Sequence, residues 1–277
     1  IVLRYLNPKR KEGFLKIISI FSFLGIAIGV SVLIIVMSVM NGFRTELTNK
    51  ILGFNPHITI KPYDQPINQI KKNELDFPNL SSVFFSLNEQ AILIDNNFTK
   101  GILIRGYKKK DILEIGLIKN GIVEGSLDNF NKNSISVGKE LAIELNLAIG
   151  DRVSIMSPNG ISTIIGNIPK QSTYTVSSIY TSGLADFDEA VIFMTLKDVQ
   201  YLFNRNNDDL FLEIYLNNPN EFIKAQTEIE KSFSNVLIYS WADSNKSFFS
   251  ALKVERNVMF IILSLIVIVA AFNIISG

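Results

Sequence analysis

The side chains in this sequence that could do chemistry are few and scattered. Asp186, Asp188 and Glu189 form a short acidic cluster, a group that could hold a cation. Their spacing is not that of a calcium loop, and a solvated turn is the simpler reading. His57 is the single histidine and there are no cysteines, so it lacks the partners that a metal centre or a histidine-based triad requires. It reads as a hydrogen-bonded structural residue at the start of a strand. The missing cysteines also exclude disulfides, thiolate catalysis and cysteine-bound zinc or iron–sulfur centres. Gly138-Lys139 is followed by Glu140 and lacks the upstream glycine of a phosphate-binding loop, so nucleotide hydrolysis is not expected here. Lys108 to Asp111 is a charge run on a turn, and a net charge of +1 gives no reason to expect nucleic acid. No catalytic residue, metal or cofactor is expected, and the chain does not read as an enzyme.

The elements that hold these residues are organised by hydrophobicity. Of the 277 residues 47% are hydrophobic, and the excess sits at the two ends. Ile17 to Met40 carries no charged side chain over 24 residues, and Val258 to Gly277 carries none over 20. At 1.5 Å per residue the first run makes a helix of roughly 36 Å, enough to cross a bilayer core of about 30 Å. The second is just long enough, and both termini read as cut. Arg4, Lys9, Arg10, Lys11 and Lys16 precede the first run against one acid, Glu12, which places the N-terminus in the cytoplasm. The long apolar run, ending without small residues at Ser38-Val39-Met40, argues against a cleaved signal peptide. Ser22, Gly25 and Gly29 form a strip of small residues that suits close packing against another helix.

This gives a cytoplasmic segment (1–16), a first span (17–40), an extracytoplasmic domain (41–257) and a second span (258–277). The domain reads as α+β. Helix 1 continues past the span through Phe43, Leu47 and Leu52 until Asn55-Pro56 stops it. A strand at His57 to Ile60, helical character at Ile67 to Leu75 and a strand at Val83 to Leu87 make one β-α-β unit. Leu210 to Leu216, a helix opened by Pro219 and Val236 to Trp241 make a second. The two pair into one split sheet with helices on one side, a membrane-proximal subdomain of residues 41–90 and 205–257. Residues 91–204 read as a β-rich inserted subdomain, with short strands and a helix from Gly138 to Leu147.

Within that insertion, Ser157 to Pro169 joins two strands as a long connection bounded by Pro158 and Pro169, with Gly160 and Gly166 inside it. Prolines resist pairing in a central sheet, so the segment should project. It carries Ile161, Ile164, Ile165 and Ile168. Either these bind something or the connection folds down onto the domain, and composition leaves both readings open.

Four blocks carry a resemblance. These are Ile1 to Tyr5, Met37 to Phe43, Ile51 to Ile60, and Val254 to Phe260 before the second span. Together they resemble the LolC/LolE family of lipoprotein-releasing ABC transporter permeases, and the likeness runs through essentially the whole chain. The domain between the spans is shared more loosely with MacB-type and FtsX-type permeases. The resemblance implies a MacB-like periplasmic core domain, an inner-membrane location and four spans per subunit. It implies partnership with a second LolC/LolE-type permease subunit and with LolD ATPases that hydrolyse the ATP. The implied activity is to extract outer-membrane lipoproteins from the inner membrane and pass them to the periplasmic carrier LolA.

In hook-bearing members, of the LolC and LolF types, a proline-bounded hairpin inserts into LolA. Pro158, Asn159, Gly160, Ile161, Ser162, Thr163, Ile164, Ile165, Gly166, Asn167, Ile168 and Pro169 resemble that hook, which with its flanks spans 157–170, and the resemblance resolves the open reading towards binding. Gln171 matches a residue of the family's secondary LolA contact, although Ser172 stands where that pattern has a basic residue. Val36, Met40 and Phe43 are the implied lipid contacts, with plain packing bulk as the competing reading. The rival functions are a two-span sensor with an extracytoplasmic ligand-binding domain, and a MacB/FtsX-type mechanotransmission permease.

Overall fold

The computed structural model describes residues 13–63, 66–67, 75, 77–95, 98–163, 166–233 and 236–276. The chain divides into two compact units, one of residues 1–48 with 245–277 and one of residues 49–244.

The first unit is helical. Helix α1 runs unbroken over Gly13–Phe54, 42 residues. It ends because Pro56 cannot continue the ladder, while Asn55 caps it by giving both its backbone N–H and its side-chain amide to the carbonyl of Ile51, each at 3.1 Å. At roughly 63 Å it is about twice the thickness of a hydrocarbon core. Phe21, Phe23, Ile28, Ile35 and Val39 stand exposed along it, an apolar surface that water would not select. Among the described residues, α1 is the one helix long and apolar enough to cross a membrane by length and composition. The other helix of this unit spans Lys246–Ser276, 31 residues.

The second unit is built on ten strands, β1 (Ile58–Pro62), β2 (Leu80–Asp95), β3 (Phe98–Tyr107), β4 (Ile122–Gly125), β5 (Ser134–Gly138), β6 (Arg152–Thr163), β7 (Gly166–Tyr180), β8 (Val191–Thr195), β9 (Phe211–Leu216) and β10 (Val236–Ser240). Its helices include α2 (Lys139–Glu144), α3 (Leu196–Phe203) and α4 (Phe222–Ser232), several shorter helical turns lie between the strands, and the Lys246–Ser276 helix is α5. The strand order is β10-β1-β9-β2-β3-β8-β5-β7-β4, with β6 bridging β2 and β7. That bridge closes β2-β3-β8-β5-β7-β6 into a six-stranded barrel, leaving β10-β1-β9 as an open sheet continuing from β2.

The two ends have separate cores. Alternate residues of the barrel strands, among them Leu93, Ile104, Val137, Ile155, Tyr174 and Ile192, pack together with Val199 and Leu202 of α3. Ile58, Ile60, Val83, Leu212 and Ile214 instead pack with Ala225 and Ile229 of α4. The two β-α-β halves interleave, since β1 lies between β10 and β9 and pairs antiparallel with both, while β9 also pairs with β2. The helical stretch expected at Ile67 to Leu75 falls mostly outside the described residues.

The structure differs from the sequence reading at the boundary between the expected subdomains. Val83 to Leu87 and Ala91 to Ile94 belong to one 16-residue strand, β2, so the strands of the two expected subdomains form two ends of a continuous sheet. Polar residues between those two stretches bond across the sheet. Asn88 bonds Glu213 at 3.1 Å and Glu89 pairs with Arg205 at 2.6 Å. The acidic cluster is likewise not a solvated turn. It lies in the short helix Ala185–Ala190, where buried Asp188 accepts from the Thr181 hydroxyl at 2.8 Å and the Ser182 N–H at 2.7 Å, and Glu189 pairs with Lys100. The four-residue strand β4 and helix α3, whose start is capped by the Thr195 hydroxyl, are additions to what the sequence suggested.

Candidate docking hairpin and its supports

The proline-bounded segment is strand rather than loop. β6 and β7 pair in register from Arg152 opposite Thr175 to Ser157 opposite Lys170, and again from Ile161 opposite Ile168 to Thr163 opposite Gly166. The pairing of β6 with β2 ends at Met156, so from Ser157 onward the described part of the hairpin is a two-stranded ribbon that leaves the barrel. Between the two registers Pro158, Asn159 and Gly160 stand opposite Pro169 alone, a bulge that bends such a ribbon. Both prolines thus fall where no ladder hydrogen bond is demanded of them. Gly160 has φ +50°, and a Cβ there would lie 2.1 Å from the carbonyl oxygen of Ile168, so the bulge admits only glycine.

Ile168 is 50% exposed, and Pro158, Gly166 and Pro169 are exposed with it. Ile164 and Ile165, at the tip, lie outside the described residues, as do the side chains of Asn159, Ile161, Ser162, Thr163 and Asn167. At the base, the Lys170 ammonium sits 3.3 Å from the centre of the Tyr201 ring and donates to the Tyr201 carbonyl at 2.5 Å. Helix α3 therefore buttresses the ribbon where it leaves the barrel. Gln171 is exposed on β7 opposite Met156, adjacent to that strut.

A second constellation, which the sequence reading did not place, lies under the end of α1. Arg105 on β3 and Glu213 on β9 are buried, with side chains 3% and 0% exposed, and pair at 3.3 Å. Glu213 also accepts from the Tyr107 hydroxyl at 2.6 Å, the Ser86 hydroxyl at 2.7 Å and the Asn88 amide. The other arm of the Arg105 guanidinium donates to the carbonyl of Phe54, the last residue of α1, at 2.5 Å. Burial opposes the charge on Arg105, but Tyr107 and Glu213 beside it hold its pKa above the usual range. Burial first, and then Glu213, push the Tyr107 phenol well above its ordinary value.

His57 follows directly after α1. Its Nδ1 accepts the Leu216 N–H at 2.7 Å, and its backbone joins β9 and Trp241 through bonds of 3.0 Å each. Burial lowers its pKa to about 4, only partly offset by a hydrogen bond with the Leu52 backbone, so the ring is neutral. It borders a cleft of about 360 Å³ that is also lined by Glu114, Phe84 and Tyr215. Trp241 is buried against Phe222, with ring centres 5.6 Å apart.

On the helical unit, Val36 and Phe43 are exposed at 46% and 55%. Met40 is half-buried and shares a small cavity with Met37 and Arg44 of α1 and Leu252, Arg256 and Met259 of α5. Gly25 and Gly29 border an apolar gap of about 510 Å³ facing Leu265, Ile266 and Val269 of α5. A Cβ added at either glycine would meet nothing within 4 Å in this chain. The Ser22 side chain lies outside the described residues.

A long apolar helix that runs directly into an α+β domain, itself a split sheet fused to a small barrel, defines a membrane-anchored domain protein. Residues 19–232 match the family model of the MacB-like periplasmic core domain. The LolC lipoprotein-releasing system transmembrane protein of Neisseria meningitidis serogroup B is 30% identical over 99% of this chain and 68% of its own length. That of Xylella fastidiosa strain Temecula1 is 28% identical, and LolE of Haemophilus influenzae 24%, over the same shares. The chain belongs to the LolC/LolE family. Among solved structures, the periplasmic region of MacB from Actinobacillus actinomycetemcomitans aligns over 72% of this chain and 94% of that one, at 9% identity and a TM-score of 0.44. The family assignment rests on the sequence matches.

Proposed function

We propose that this chain is a permease subunit of a lipoprotein-releasing ABC transporter of the inner membrane. In this reading it extracts outer-membrane lipoproteins from the bilayer and passes them to periplasmic LolA. A LolD ATPase supplies the energy, and a second LolC/LolE-type permease subunit completes the complex. Residues 1–16 are cytoplasmic, residues 17–40 cross the membrane, residues 41–257 are periplasmic, and residues 258–277 form a second crossing. Residues 158–169 are the hook that enters LolA and Gln171 a contact beside it, while Val36, Met40 and Phe43 face membrane lipid or the lipoprotein acyl chains.

The observation that supports this most is the β6–β7 ribbon. It leaves the barrel at Ser157, is bent by a glycine-only bulge, is buttressed by Lys170 on Tyr201, and holds Ile168 in the open. A domain that only filled its own core would have no use for an apolar side chain held there by a strut. The test is photocrosslinking from position 168 in the full-length protein, with Gly160→Pro as the bulge-disrupting control. A LolA adduct that disappears in the control is expected. An intact membrane protein that gives no adduct would reassign the hairpin and remove the carrier from the reading.

A further inference from the structure

The buried Arg105–Glu213 pair is a peculiar thing for this fold to keep. Two charges removed from water gain little net stability over apolar side chains of the same shape, so such pairs are poor stabilisers. What this pair does uniquely is geometric. One arm of the Arg105 fork holds the terminal carbonyl of α1 at Phe54, and the other holds Glu213. Glu213 in turn gathers Ser86 and Asn88 of β2 and Tyr107 of β3. Six residues further along, β2 pairs with the base of the hairpin, Ile92 opposite Met156 and Ile94 opposite Ser154. A short ordered path of one ion pair and one continuous strand therefore leads from the last turn of α1 to the docking hairpin. A planar guanidinium fixes both direction and distance between two acceptors, which a lysine or an apolar contact does not.

We propose that Arg105 and Glu213 are positioning residues, forming the joint that makes the end of α1 and the hairpin-bearing barrel one rigid body. Movement of the helix on nucleotide turnover is then delivered to the hairpin rather than lost in a flexible link. The consequence for release rests on the permease reading above, whereas the joint itself does not. The test measures the coupling directly.

The test uses the full-length protein assembled with its partner subunits, with spin labels at Asn49→Cys on α1 and Glu140→Cys on α2, both exposed. The variant is Arg105→Met with Glu213→Gln. It removes both charges but leaves an acceptor for Ser86 and Tyr107. The Asn88 amide can turn to accommodate the new Gln amide, because its Oδ1 has no partner among the described residues. Trp241 fluorescence monitors folding. The expected result is a folded variant whose inter-label distance distribution is at least twofold broader, whose position-168 adduct persists, and whose lipoprotein release per ATP hydrolysed falls at least tenfold. Arg105→Lys, which keeps the charge but not the fork, should broaden the distribution similarly and serves if the double variant does not fold. An unchanged distance width in the folded variant overturns the joint, and so does a broadened width with undiminished release. If the wild type yields neither adduct nor release, the permease reading fails and the joint is judged on the distance width alone.

Discussion

Protonating His57 should loosen the domain at the point where α1 enters it. Its folded pKa of about 4 lies below the ordinary 6.5, so the unfolded chain binds the proton more readily. The associated stability is fully present above about pH 6.5 and is lost as the pH falls towards the folded value. At pH 5.5 the linkage relation gives a loss of about 1.4 kcal/mol, growing to roughly 3 kcal/mol below pH 4. The mechanism is specific, because the proton would land on the nitrogen that accepts the Leu216 N–H or would charge a ring buried beside Tyr215. His57→Asn keeps an acceptor near the Nδ1 position and removes the titration. The assay is urea unfolding at pH 7.5 and pH 5.5, followed by Trp241, whose backbone N–H bonds the His57 carbonyl. The wild type should lose about 1.4 kcal/mol more than the variant between the two conditions. Equal losses in both would refute the assignment of the pH dependence to His57.

Three other outcomes follow from the same geometry. Arg105→Met alone leaves Glu213 buried without its counter-charge, and should cost about 3–5 kcal/mol in denaturant unfolding, well beyond the double variant of the joint test. Gly160→Ala forces a positive φ at a cost of about 1–2 kcal/mol and drives its Cβ into the Ile168 carbonyl, so hydrogen exchange should accelerate in residues 161–168 but not in residues 152–156. Lys170→Met removes the contact with Tyr201, worth about 0.5–1 kcal/mol, so the hairpin should open roughly two- to fivefold more often by exchange, with the unfolding midpoint of the domain unmoved.

The extent to which the site was legible depended on the kind of signal. The first helix and its stop at Asn55-Pro56 were legible because charge-free length and proline are local signals. The hairpin was placed by its prolines and glycines, but its strand character was not, since a bulge next to Pro158 looks the same as a loop in one dimension. Arg105 and Glu213 were missed for a physical reason. In β9 the alternation puts Leu212, Ile214 and Leu216 on the face of α4, which assigns Glu213 to water. The opposite face is nonetheless covered by Phe54, Phe84 and Tyr107, which come from distant parts of the chain. The only local hint was that charged residues interrupt otherwise apolar strands, Ile102 to Tyr107 and Phe211 to Leu216. Tyr201 was hidden for a related reason, because α3 is an eight-residue helix whose cap, Thr195, directly ends a strand.

The position of β1 in the sheet sets an order of events during biogenesis. Ile58 pairs with Ile214 on one side and Ser240 on the other, so both neighbours of this strand are made more than 150 residues after it. β1 must therefore wait with both edges unpaired while the barrel strands emerge and close among themselves. Loop-closure entropy rises only slowly with such a separation, but folding rate falls with it. β1 is therefore among the last strands to be secured, and the nascent chain carries its open edge until Val236–Ser240 has been made. Lys61 and Pro62 at the end of β1 are the residue types that discourage such an edge from pairing with the wrong chain in the interval.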